Sequence, residues 1–173
     1  MIFEDLYEQH KNRVYNLALH YTQNVEDAQE ITQDVFVAAH QSLNSFKENA
    51  GISTWLYRIA VNKCLDFLKA KNRKKRFAFL TSLFFDDTNN LKHNPPELNH
   101  PGVLLEDKEA LNILFKKINE LPDNQKTALI LHKIEQKPQA EVAEIMNLSA
   151  KAVESLIQRA KTNLSKNLNR SEG

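Results

Sequence analysis

The sequence predicts an all-α protein of two small helical domains joined by a linker, the C-terminal one containing a helix-turn-helix. Three observations carry that prediction. Only three glycines and five prolines punctuate 173 residues, which suits long helices with few turns. Apolar residues recur by threes and fours along most of the chain. Between Pro138 and Lys166 two such patterns, Val142-Ala143-Ile145-Met146 and Val153-Leu156-Ile157-Ala160-Leu164, flank Asn147-Leu148-Ser149. Asn147 suits the left-handed residue that stops a helix, Leu148 is expected to plug the gap between the two helices, and Ser149 suits an N-cap.

The elements follow in order. Phe3, Leu6, Tyr7, His10, Val14, Leu17, Ala18 and Tyr21 form one stripe, predicting a first helix from Phe3 to Thr22. Asn24 is expected to cap the second, whose acidic first turn, Glu26 and Asp27, suits the positive end of the helix dipole. Its apolar side carries Ala28, Ile31, Val35, Ala38, Ala39 and Leu43. The segment from Lys47 to Gly51 interrupts the pattern. Ser53 is expected to cap a third helix through Trp55, Leu56, Ile59, Ala60, Cys64, Phe67 and Leu68 into the basic run Lys69, Lys71, Arg73, Lys74, Lys75, Arg76. Three helices with Phe36, Phe46, Trp55 and Phe67 among their apolar residues predict one bundle ending near Arg76. From Phe77 to Phe85 the apolar cluster is irregular, and the stretch to Gly102 is polar, acidic and broken by Pro95, Pro96 and Pro101. The expected domains are therefore residues 1–76 and 106–173, with a linker over 77–105. Helical spacing returns with Leu104, Leu111, Leu114, Phe115 and Ile118. Leu121-Pro122 closes that helix, and another over Gln125 to Ile134 leads into the helix-turn-helix.

Composition narrows the function. With a net charge of +1 the whole chain is no electrostatic glue for nucleic acid, yet the basic run can grip phosphates locally. The single cysteine, Cys64, excludes an internal disulfide framework, fits a reducing cytoplasm and lies on the apolar side of its helix, where a buried small hydrophobe is expected. The charged opening, MIFEDLYEQHKNR, is not a signal sequence, and no apolar run approaches membrane-spanning length, so a soluble intracellular protein is expected. Three glycines cannot build a phosphate-binding loop. His93 and His100 stand near Asp86, Asp87 and Glu97 without metal-ligand spacing. No catalytic residue, metal or cofactor is expected.

The outward positions of the second helix of the helix-turn-helix are Lys151, Glu154, Ser155, Gln158, Arg159, Lys161 and Thr162. Such a helix enters the major groove and reads base edges from its N-terminal half. The segment LPDNQKTALILHKIEQKPQAEVAEIMNLSAKAVESLIQRAKTNL resembles the upstream-element-binding domain of bacterial RNA polymerase sigma factors. DAQEITQDVFVAAHQSLNSF followed by STWLYRIAVNKCLDFLKAKNRKKR is similar to the other conserved domain of that family, in its extracytoplasmic-function (ECF) group.

The resemblance implies a dissociable initiation subunit that binds core RNA polymerase and directs it to promoter DNA, with no bond chemistry of its own. Lys151, Glu154, Ser155, Gln158, Arg159 and Lys161 would then contact the upstream element. Glu154, Ser155, Gln158 and Arg159 would face base edges, and the two lysines phosphates. Many relatives carry Lys or Arg where Glu154 and Leu156 stand, so the phosphate grip here is weaker. For the minus-ten element the implied set is Arg58, Asn62, Lys63, Lys69, Arg73 and Lys74. Asn62 would read a base behind a capturing loop of Asn49, Ala50, Gly51 and Ile52. Glu30, Gln33, Asp34 and Phe36 would bind a coiled coil of the largest polymerase subunit. The resemblance also implies an anti-sigma partner, often membrane-anchored, and a linker that threads toward the polymerase cleft. A linker of this kind would let the two domains close on one another and hide both DNA surfaces. The alternative from the residues alone is a stand-alone helix-turn-helix regulator whose N-terminal bundle binds a protein. A weaker one is an interaction module that has lost DNA binding.

Overall fold

Two antiparallel helices and the first half of a third wrap an aliphatic core, and a second set of helices packs against one side of them. The computed structural model describes residues 3–47, 51–84 and 105–170, with no strand among them. Helix α1 (Phe3–Thr22) ends at Gln23, which takes a left-handed conformation at φ 54°. Asn24 then caps α2 (Val25–Ser42) as expected, its side-chain oxygen accepting from the Asp27 amide at 2.8 Å. A 3₁₀ turn (Leu43–Ser45) follows α2. Helix α3 (Ile52–Phe84) packs on both α1 and α2. Leu6, Val14, Leu17, Ala18, Tyr21, Ile31, Val35, Leu56, Ala60 and Cys64 fill the space between them. Burial pushes the Cys64 thiol up, away from the reactive thiolate.

Two expectations for this part need correction. Ser53 is not the cap: α3 begins at Ile52, and the Gly51 carbonyl accepts from the Trp55 amide at 3.1 Å. Helix α3 does not stop near Arg76 but runs on to Phe84. From Asn72 to Leu83 it is exposed on every side, because the bundle beneath it has ended. Phe36 joins the apolar residues of the bundle as expected: it is 4% exposed, with its ring edge-on to Phe3 and Tyr7, while α2 leaves Val25 and Val37 exposed.

Helix α4 (Leu105–Asn119) leads through Leu121-Pro122 into α5 (Asp123–Leu129). The helix expected over Gln125 to Ile134 starts earlier and changes pitch, ending in a π-helical turn (Ile130–Ile134) before Gln136 at φ 55°. Helices α6 (Gln139–Met146) and α7 (Ala150–Asn169) form the predicted helix-turn-helix. Asn147 is left-handed, at φ 53° and ψ 47°. The Leu148 amide bonds the Ala143 carbonyl and the Asn147 amide bonds the Glu144 carbonyl, a Schellman stop. Ser149 caps α7 by accepting from the Ala152 amide at 3.1 Å. Leu148 does not plug the turn, since it is 38% exposed, whereas Val142, Ile145, Val153 and Ile157 of the two helices are buried. The polar linker, with His93, His100 and its acids, and loop residues Asn49 and Ala50 lie outside the described residues.

One buried group sets a pH dependence. His10 is 8% exposed and its Nδ1 has no hydrogen-bond partner among the described residues. Burial first, then the charges of Arg13 and Lys137, hold its pKa below the ordinary value. The unfolded chain therefore takes up a proton at a pH where folded His10 stays neutral, and stability falls as pH drops below about 6.5. Urea midpoints at about pH 5.5 and pH 7.5 should show this difference, and His10→Leu should shrink it.

Candidate nucleic-acid interface

Helix α3 carries the whole candidate minus-ten set. At about 100° per residue, Arg58, Asn62, Lys69 and Arg73 fall within about 60° of one another, whereas Lys63 and Lys74 stand roughly a quarter-turn away. From Arg58 to Arg73 this stripe is about 22 Å long at 1.5 Å per residue, enough for several nucleotides. Asn62 is exposed, and Arg73 and Lys74 project from the free end of the helix. Tyr57 is buried on the opposite side of the turn. Trp55 is half-buried against Phe46 with ring centroids 5.0 Å apart, the core role that aromatics at this spacing suggest.

The second candidate surface is the outer side of α7. Val153, Ile157 and Ala160 are buried, which turns Lys151, Glu154, Ser155, Gln158, Arg159, Lys161 and Thr162 outward, all exposed. Glu154 has no ion-pair partner among the described residues. On α2, Glu30, Gln33 and Asp34 are exposed together. Gln33 lines a shallow apolar groove with Tyr7, Val37 and His40.

The two sets of helices are closed on each other by polar contacts. Arg58 donates from Nε and Nη2 to the Glu144 carbonyl in the last turn of α6, at 3.0 and 2.6 Å. Lys69 stands 3.5 Å from Asp123. Asn62 lines a cleft of about 220 Å³ with Asn124, Thr127, Met146 and Asn147. The part of the α3 stripe from Arg58 to Lys69 thus lies beside the C-terminal helices, and Arg73 projects beyond them. Farther along, the Tyr21 hydroxyl and the Thr127 Oγ1 share a hydrogen bond of 2.7 Å, with both side chains buried. Glu135 bonds His20 Nδ1 at 2.8 Å through one oxygen and accepts from the Tyr57 hydroxyl at 3.3 Å through the other. The His20 ring stacks on Phe115, and the Lys137 ammonium lies 4.0 Å from the Tyr57 ring centre. The closed packing expected of two linked domains is therefore present, but the outer side of α7 stays uncovered, contrary to the expectation that both surfaces would be hidden.

Sequence reasoning missed His20, Tyr21, Thr127 and Glu135. Each looks like an ordinary half-polar helix residue, and partners more than a hundred positions apart leave no periodic trace. The only available signal was a tyrosine and a histidine at the end of an otherwise apolar stripe, since a buried hydroxyl must find a partner.

Comparison with known proteins gives a consistent picture. Residues 6–74 match the family described as Sigma-70 region 2, and residues 111–164 match Sigma-70, region 4. The chain is 32% identical over 170 residues to the ECF RNA polymerase sigma factor SigW of Bacillus subtilis, covering 96% of this chain and 88% of that protein. It is 29% identical over 162 residues to the ECF RNA polymerase sigma-E factor of Escherichia coli K12, covering 92% and 82%. In fold it is similar to CnrH, solved with the cytosolic domain of CnrY, at TM-score 0.65 and 24% identity over 97% of this chain and 88% of that one. It is also similar to the sigma factor RpoE of Bartonella quintana, solved with the anti-sigma factor NepR, at TM-score 0.64 and 18% identity over 96% of both chains.

Proposed function

Because the chain belongs to the ECF group of sigma-70 factors, and so acts with core RNA polymerase in promoter-directed transcription initiation, we propose how its two modules divide that work. The N-terminal module, residues 1–76, binds polymerase through Glu30, Gln33 and Asp34 and holds the minus-ten element along Arg58, Asn62, Lys63, Lys69, Arg73 and Lys74. Residues 77–105 connect it to the C-terminal module, 106–173, which reads the upstream element as duplex. The observation that carries this reading is the uncovered outer side of α7 standing behind a helix with an amide and four cations in line and at its free end. Arg159 offers a bidentate donor for guanine, Gln158 an amide that donates to N7 and accepts from N6 of adenine, and Glu154 an acceptor for a cytosine amino group. No described helix is long and apolar enough to cross a membrane, and the place of action we infer is the cytoplasm, where polymerase and chromosome meet. A membrane-anchored anti-sigma protein fits as the partner that restrains the chain. The reaction chemistry stays with the polymerase.

Run-off transcription with purified core polymerase tests the reading: promoter-dependent transcripts should appear only when this chain is added. Duplex binding without transcripts would point to a stand-alone regulator instead. Within α7, Lys151→Ala should weaken duplex binding evenly across sequences and lower the slope of log affinity against log salt by about one, the signature of a phosphate contact. A sequence-dependent loss would place Lys151 on a base.

A further inference from the structure

We propose that Glu135 is a latch that holds the C-terminal module across the DNA-facing stripe of α3, so that the free chain masks its own single-strand grip. The proposal deepens the reading above, resting on Arg58 and Asn62 as part of that grip. Three features lead to it. First, the contacts that close the modules and those that would hold a DNA strand draw on the same side chains: Arg58 is spent on the Glu144 carbonyl, Lys69 lies beside Asp123, and Asn62 faces the cleft. A guanidinium bonded to a carbonyl at 2.6 Å cannot also hold a phosphate in the same geometry, so strand binding and closure compete. Second, the closing contacts differ in weight. Lys69 and Asp123 are 60% and 45% exposed and add little in water. Glu135 and His20 are 11% and 15% exposed, and Glu135 occupies both carboxylate oxygens with donors from two helices of the other module. Removing it leaves the His20 ring nitrogen and the Tyr57 hydroxyl without their acceptor in a largely dry place, the expensive way to break a hydrogen-bonded site. Third, Glu135 sits where the π-helical turn ends, one residue before the left-handed Gln136. It therefore ties the entry of the helix-turn-helix to the N-terminal bundle while touching neither candidate DNA surface.

The Glu144 carbonyl that Arg58 holds also accepts from Asn147, the left-handed residue of the recognition turn. The single-strand grip is thus bonded directly to the turn that aims the duplex reader. Coupling between two sites is reciprocal: a strand that takes Arg58 releases the C-terminal module, and a duplex that draws that module away uncovers Arg58.

The test uses the full chain without polymerase. Dyes on Asn12→Cys and Ser165→Cys report module separation, because Cys64 is fully buried and escapes labelling. Anisotropy of a mixed-sequence single-stranded oligonucleotide reports strand affinity. Glu135→Ala should lower energy transfer and raise strand affinity about tenfold, with Glu135→Gln, which keeps one acceptor, in between. A purely structural role would lower affinity, not raise it. Unchanged transfer in Glu135→Ala overturns the latch. Lower transfer without a gain in strand affinity overturns the masking, and with it the assignment of Arg58 and Asn62 to the strand. A gain that survives adding Asn62→Ala and Arg58→Ala also overturns the masking, since the exposed grip would then lie elsewhere.

Discussion

Asn62→Ala should leave the holoenzyme able to find promoters and unable to open them efficiently. A base taken out of the stack is held by edge-on hydrogen bonds to replace its lost pairing, and Asn62 carries the one amide in the Arg58–Arg73 stripe. A well-placed side-chain contact to a base is worth roughly 1 to 3 kcal/mol, so the opening equilibrium should drop by about 5- to 150-fold. Permanganate reactivity of thymines in the start region reads this directly, and a template melted in advance should restore most of the lost run-off product. The substitution is mild for the fold, since Asn62 is exposed and Ala favours helix. Normal permanganate reactivity in the variant would remove Asn62 from the strand grip.

Arg159→Ala should have the next largest effect, at the other element. Arg159 stands exposed beside buried Ala160 and two positions beyond buried Ile157, so α7 holds its backbone rigidly while the guanidinium stays free to meet a groove. Losing a bidentate pair with guanine costs about 1 to 3 kcal/mol and relaxes preference at one base position. Footprinting of the holoenzyme over the upstream element should weaken by about 5- to 150-fold, with minus-ten opening on a bubble template unaffected. An even loss across all upstream sequences would reassign Arg159 to phosphate contact.

Much of this arrangement is legible in the residues because the helices are amphipathic and the caps are chemical. The stripe from Leu6 to Tyr21, the Asn24 cap and the Asn147–Ser149 turn each follow from a rule that acts within a few positions, and each is where that rule places it. The errors share a different cause. Ser53 has the hydroxyl of a cap, but Gly51 supplies the first carbonyl, and either residue satisfies a local rule. Leu148 is apolar, yet the geometry of the stop turns it toward solvent. At the candidate interface, one-dimensional patterns located the cations and the amide on α3. They could not reveal that Glu144 and Asp123 come to meet them, because those contacts depend on how two modules dock.

The unsupported end of α3 has a consequence for proteolysis. From Asn72 to Leu83 no described residue buries the helix, and Arg73, Lys74, Lys75 and Arg76 follow one another, all exposed. A stretch that opens without disturbing the core is where trypsin cuts first, and a cut there severs the chain between the two modules. Whether the halves then travel together through a sizing column, or part, measures how strongly the closed contact holds once the peptide bond no longer contributes.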